Sequence, residues 1–405
     1  MAKLTDLPNE LIDEIVELMY AANPKQYLGA VHRVFLASSR SVTFREVRTK
    51  PGTHSLWQLC KLVSNTPSAA ASLRVLSISN ASNWDARLSG QDYGVPLGPT
   101  KLRSLFRQLN SVEELHIRSE ALAKLILKPT STGEVFPRLH FLKIEYSDVH
   151  VANPFDPRRF THLDRYPLLD ALELAFPSYL GSDSEHRPYR GRLATKRSWW
   201  ITLRGWLGRN AAVPDLISLF NIDSLTLHDI SPVDAFSPTP ILRAVRYKGN
   251  LSALAVRHLG LHDAVDPALL ATFPNLSSLT LDPATLSPSG LAALSSLTSL
   301  TRLVFGPNSL VSSADLVPLL SGPNKLPSLR TLRLDVVHKP HSDFYAVDPL
   351  AYSGWTSSFT LKGVGELLDL AEKEDIKLTG LAVALVKRER EYERRFGKAG
   401  SRATR

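Results

Sequence analysis

Two histidine pairs are the first residues to test for chemistry, because imidazoles one helical turn apart can share a metal ion. His258 and His262 lie four apart in "RHLGLH", and His338 and His341 bracket Lys339-Pro340 in a polar stretch. The first segment contains a glycine and follows a strand-like run, so both pairs read as ordinary surface or satisfied histidines. Gly363 and Gly365 form a G-x-G without the third glycine that a dinucleotide loop needs. No G-x-S-x-G elbow and no G-x-x-x-x-G-K phosphate loop occurs in the chain. Cys60 lies in "LWQLCKLV" with Leu56, Leu59 and Val63 at helical spacing, and reads as a small core residue. The expectation is a protein that is not an enzyme, with no catalytic residues, no metal and no cofactor.

A second pattern has binding chemistry. Residues 180–214 interleave Arg187, Arg190, Arg192, Lys196, Arg197, Arg204 and Arg209 with Tyr189, Trp199, Trp200 and Trp206. Basic residues with aromatics suit single-stranded nucleic acid. A repeat helix with a buried Trp face and a solvated loop gives the same composition, and is the favoured reading. The net charge of +9 is concentrated at the end, since residues 387–405 alone carry +5. Such a tail reads as a solvated, partly helical end. One cysteine excludes an internal disulfide. The longest apolar run, "LTGLAVALV", is too short to span a bilayer. These features predict a soluble intracellular protein, cytoplasmic and/or nuclear, without membrane contact.

The elements that position these residues follow from a repeat. The pattern apolar-x-x-apolar-x-apolar begins at residues 73, 112, 139, 169, 222, 251, 276, 300, 329 and 378. Six of the nine steps lie between 24 and 30 residues, which marks a repeat architecture. In "LRTLRL", Leu332 and Leu334 alternate with Thr331 and Arg333, as in a strand with one buried face. Pro137, Pro167, Pro274 and Pro327 precede four copies and predict helix-to-strand turns, with the residue before each proline extended. Helical patterns such as "GLAALSSL" and "ADLVPLLSG" fall between strands. One strand and one helix per unit resembles the leucine-rich repeat, in a divergent, helix-backed form over about residues 73–385. The resemblance implies parallel strands on a concave face and helices on the convex face. Ten such strands would make a ladder of roughly 45 Å.

The segment before the repeats begins "LTDLPNELIDEIVELM". Leu7, Leu11, Ile15 and Leu18 sit at helical spacing, with Ile12 and Met19 widening the stripe. Further on, Val31, Val34 and Phe35 are placed to pack back onto this helix. Leu7-Pro8-x-Glu10-Leu11 at the front and Val31-x-Arg33-x-Phe35 behind resemble an F-box, with His32 where cysteine is frequent. The match covers about residues 4–48. An F-box followed by leucine-rich repeats is the layout of F-box substrate receptors, including many fungal ones. The resemblance implies a Skp-type adaptor as partner and through it a cullin, in an SCF ubiquitin ligase. It makes Leu7, Pro8, Leu11, Ile15, Leu18, Val31 and Phe35 candidate adaptor contacts. The structural alternative is a helix that only caps the repeat.

The expected fold is therefore α/β: a small helical F-box over residues 1–48, then a leucine-rich-repeat solenoid over 49–385. Insertions are expected at about 180–214 and 335–362, and a basic tail at 386–405. The target protein would meet the strand face at Glu114, His116, Arg118, Lys143, Glu145, Glu173, Arg257, Arg302, Arg333 and Asp335. Two other readings stay open: a stand-alone interaction scaffold with a degenerate F-box and, less favoured, a nucleic-acid-associated protein.

Overall fold

The computed structural model describes residues 8–22, 42–49, 53–79, 99–118, 120–127, 136–146, 155–176, 197–207, 210–230, 237–258, 267–282, 293–307, 309, 311–335 and 361–396. The chain divides into two compact units, one of residues 1–181 with 193–195 and one of 182–192 with 196–405.

The first unit opens with helix α1 (Asn9–Ala22). Its strands are β1 (Glu46–Arg48), β2 (Val75–Ser79), β3 (Glu114–Arg118), β4 (Phe141–Glu145) and β5 (Ala171–Phe176). Each pairs in parallel with the next in chain order. Helices α2 (Thr53–Asn65) and α3 (Pro67–Ser72) connect β1 to β2, α4 (Pro99–Gln108) precedes β3 and α5 (Glu120–Leu127) follows it. The second unit carries β6 (Trp199–Gly205), β7 (Ile222–Asp229), β8 (Ala253–His258), β9 (Ser278–Asp282), β10 (Arg302–Phe305), β11 (Thr331–Leu334) and β12 (Lys377–Thr379). They too are parallel and in chain order. Its helices are α6 (Ala212–Ile217), α7 (Thr239–Ala244), α8 (Pro267–Leu270), α9 (Ser313–Leu320), α10 (Leu361–Lys373) and α11 (Leu381–Phe396).

The repeat pattern becomes rows of stacked side chains. Leu76, Leu115, Leu142 and Leu172 share one register in the first unit, and all four are buried. In the second, Ile201, Leu225, Leu254, Leu279, Leu303, Leu332 and Leu378 do the same. Burying one such side chain contributes about 1.5–3 kcal/mol, so these rows supply much of each core. Parallel strands need a crossover between them, and helices supply it in several repeats, which is the α/β solenoid expected from the sequence.

The proline steps are turns. Leu139 N–H donates to Phe136 C=O, Leu169 to Tyr166, Leu276 to Phe273 and Leu329 to Leu326, at 3.1–3.3 Å. Each turn buries its first and fourth residues, with proline at the second position, where its fixed φ fits. Phe136 departs from the extended geometry expected before proline, at φ 55°. Its fully buried ring packs on Phe106 at 5.2 Å, and that packing holds the conformation. At α9, Ser312 and Asp315 form a reciprocal capping box, with Asp315 N–H donating to Ser312 Oγ at 3.2 Å and Ser312 N–H to Asp315 Oδ2 at 2.8 Å.

Three expectations need correction. The chain has two strands beyond the sequence count, β1 and β6. β1 lies within residues 1–48, so the ladder starts inside the segment assigned to the N-terminal module. The stretch read as an insertion at 180–214 contains a regular repeat strand, and Trp199 is buried on that strand rather than on a helix. The last copy, "LTGLAV", contributes only Leu378 and Thr379 to a strand. β12 ends at Thr379, and Gly380 follows with φ 113°, close against the Leu334 carbonyl where a side chain would clash. The chain turns there into α11, which buries Val383 and Val386 at helical spacing and continues past residue 386 to Phe396. Residues 336–360 of the expected second insertion lie outside the described residues.

Candidate interaction surfaces

Helix α1 has two apolar faces. Ile12 and Val16 are buried together, with Ile15, Tyr20 and Val42 packed against them. Val31, Val34 and Phe35, expected from the sequence to pack here, lie outside the described residues, as does Leu7. Thr43 Oγ1 donates to Tyr20 Oη at 2.9 Å and Arg45 pairs with Glu17 at 3.5 Å, tying the helix to the segment that leads into β1. On the other face Leu11 is 45% exposed and Leu18 65%. Seven residues apart, they share one side, with half-buried Ile15 between and Met19 beside them. Pro8 is exposed just ahead of the helix.

The strand face away from the core differs between the units. In the first, Arg48, Ser77, His116, Lys143 and Glu173 form one row across β1–β5. Lys143 Nζ donates to Glu173 Oε1 at 2.6 Å. One pair further along, Arg118 meets Glu145 at 3.3 Å. His116 stands edge-on to Phe141 with ring centroids 5.5 Å apart, and its Nε2 is 3.8 Å from Glu114. Burial holds the His116 pKa below its ordinary value, against the opposing pull of Glu114. All six sequence-expected residues of this unit are therefore on one face, and both of their bases, Arg118 and Lys143, are paired with acids of the same face.

In the second unit one row reads Trp200, Ser224, Ala253, Ser278, Arg302, Thr331, Lys377 and the next Thr202, Thr226, Ala255, Thr280, Val304, Arg333, Thr379. A third reads Arg204, His228, Arg257, Asp282. Arg257, Arg302 and Arg333 all lie on this face and are exposed, and Arg333 closes onto Asp335 at 2.7 Å. Trp200, Arg204, His228 and Lys377 complete the surface. The sequence reading placed Trp200 and Arg204 in an insertion and passed over the other two. The available signal was rhythm: Ile201 falls 29 residues after Leu172 and 24 before Leu225. Trp200 is 63% exposed, and its indole N–H donates to Asp223 at 3.2 Å across a bulge between Trp199 and Trp200.

Of the residues first tested for chemistry, Gly363, Gly365 and Cys60 are described. Gly363 and Gly365 lie in α10, where Gly365 lets Arg390 of α11 approach and its carbonyl accepts from Arg390 at 2.9 Å. Arg390 also grips Asp369 with two hydrogen bonds of 2.7 and 3.0 Å, so this part of the basic tail packs on a helix. Cys60 is half-buried on α2 beside buried Leu56, Leu59 and Val63. His262, His338 and His341 lie outside the described residues, as does the side chain of His258. Among the described residues no group of three or more His, Cys, Asp or Glu could hold a metal. No helix among them is long and apolar enough to cross a membrane.

The stacked leucine rows, parallel ladders and intervening helices define an α/β solenoid of the leucine-rich-repeat type. No protein-family model matches the chain, and no curated protein does. Solved structures that are distantly similar include an internalin and a leucine-rich-repeat protein. An internalin from Listeria monocytogenes is 12% identical with a TM-score of 0.33, over 77% of this chain and 75% of that one. A leucine-rich-repeat protein from Leptospira interrogans is 11% identical with a TM-score of 0.28, over 83% and 93%. Likenesses this distant bear on neither partner nor activity.

Proposed function

We propose that this chain is a protein-binding subunit, and more particularly the substrate receptor of an SCF ubiquitin ligase. In this reading α1 docks a Skp-type adaptor that connects to a cullin, and a strand ladder holds the protein to be modified. The chain supplies no catalytic group, because other subunits of such a ligase carry the ubiquitin chemistry. The observation that carries the reading is the pair Leu11 and Leu18 on the outer side of α1. Ile12 and Val16 already anchor the helix, so the fold does not need these two leucines for burial. A helix that keeps a second apolar stripe in water suits a partner groove read at i, i+4 and i+7 spacing. The acidic residues between, Glu14 and Glu17 among them, keep the exposed stripe soluble.

The test is co-purification with a Skp-type adaptor, wild type beside Leu11→Asp, Leu18→Asp. The wild type is expected to hold the adaptor and the variant to lose it at an unchanged melting temperature, because both positions are exposed. Failure of the wild type to hold any adaptor would leave a stand-alone scaffold, with α1 as a cap on the ladder.

A further inference from the structure

Arg204, His228 and Arg257 occupy one register on three neighbouring strands, which puts them about 4.8 Å apart along the ladder. His228 feels the arrangement: burial, then Arg204 and Arg257, push its pKa below the ordinary value. Among the described residues no carboxylate closes an ion pair with Arg204, Arg257 or Arg302, of which Arg302 lies two strands away from Arg257, in the Trp200 row. The acids of this region are engaged elsewhere. Asp223 accepts from Trp200, Asp335 takes Arg333, and fully buried Asp229 accepts Leu207 N–H at 2.7 Å. Asp282 stands opposite Arg257 in register. The first unit pairs Arg118 and Lys143 with acids of its own strand face. A face on which three exposed arginines outnumber the acids in register suits an anionic partner.

We propose that the open face of β6–β10 is the docking surface for an extended, acidic segment of a partner protein, with Arg204, Arg257 and Arg302 as its carboxylate contacts. Guanidinium groups suit this role because their fork matches a carboxylate in a bidentate pair. The floor between them is Ser224, Thr226, Ala253, Ala255, Ser278 and Thr280, short enough for a peptide backbone to lie close and bearing hydroxyls to hydrogen-bond it. Exposed Trp200 closes the β6 end. A peptide is favoured over single-stranded nucleic acid because the latter needs aromatic faces for successive bases. Here the open-face rows of this unit offer, among the described residues, only Trp200 and the imidazole of His228, which lie in different rows. The inference deepens the protein-binding reading by naming the partner's chemistry, and it holds whether or not α1 engages an adaptor.

The experiment titrates the full chain, without adaptor, into a fluorescent peptide of alternating Glu and Gly long enough to cross β6–β10, about 19 Å. The controls are an alternating Lys and Gly peptide and an oligothymidylate. The acidic peptide is expected to bind, more weakly as salt rises. Arg204→Glu, Arg257→Glu should weaken it by about tenfold or more. The same charge change on α11, Arg388→Glu, Arg394→Glu, should alter it by less than about twofold. Ala255→Trp fills the floor without changing charge and should also weaken binding, with the melting profile showing that the fold is kept. Equal loss in the α11 variant, tighter binding of the oligothymidylate, or no binding of the acidic peptide would each overturn the proposal. Loss of the adaptor in the α1 variant with this binding intact would separate the two readings.

Discussion

The two strand ladders share a core and differ in what they show to solvent. Both stack leucines in register, and both start several strands from the same apolar turn. Yet the first unit pairs cations within the face, through Lys143–Glu173 and Arg118–Glu145, while the second leaves Arg204, Arg257 and Arg302 without an ion pair to a described carboxylate. The buried positions of a repeat are fixed by packing, whereas alternate positions on the same strands are free to vary. Function in such a fold is therefore to be sought where charge balance breaks, not where the repeat is most regular.

The largest expected effect tests the shared half of this comparison. Leu142→Ala in the first unit and Leu225→Ala in the second should each cost about 2–5 kcal/mol in urea unfolding, since both are fully buried in stacked rows. A cost below about 1 kcal/mol at either site would show that the two cores are not equivalent. Next comes Asp229→Ala, which strips the buried acceptor from Leu207 N–H and should cost about 1–3 kcal/mol. Gly380→Ala should cost at least about 1 kcal/mol by the same assay, because of its positive φ and the Leu334 carbonyl beside it.

Smaller effects separate the two faces. Lys143→Met should lower stability by about 0.2–1 kcal/mol, less so at high salt, because it breaks a pair that the face itself supplies. Arg257→Met should leave stability unchanged or raise it slightly, since it relieves repulsion. Destabilisation by both would erase the contrast. The smallest effect is on pH. His116 and His228 both sit below the ordinary value of 6.5, so below that pH the unfolded chain binds protons that the folded chain does not. Stability should fall as pH drops from about 6.5 toward the folded-state values. His228→Gln should remove part of that slope, measured by thermal melts across the range.

Much of the fold was legible because burial imposes a period. Leucine at fixed intervals revealed nine strands within a residue or two. β6 escaped because Ser198 stands where the pattern expects a first apolar residue, and because its two tryptophans, which face opposite sides, read as a cluster. The tenth copy misled because "LTGLAV" satisfies the pattern, while the turn at Gly380 is set by the Leu334 backbone, 46 residues earlier in sequence. The charged residues of the first face were legible one by one. Their pairing was not, since Lys143 and Glu173 lie 30 apart and meet only through parallel register. For the same reason Arg204 and Arg257 became neighbours of His228 only once β6 was in place.

The most direct test of the contrast between the faces is to find where an acidic chain lands. A Glu/Gly peptide carrying a photo-crosslinker, irradiated with the full-length protein and mapped by mass spectrometry, should label the β6–β10 face, at Trp200, Arg257 or Arg302 and their neighbours. Labels concentrated instead on β3–β5 of the first unit, or spread evenly over both units, would contradict the account.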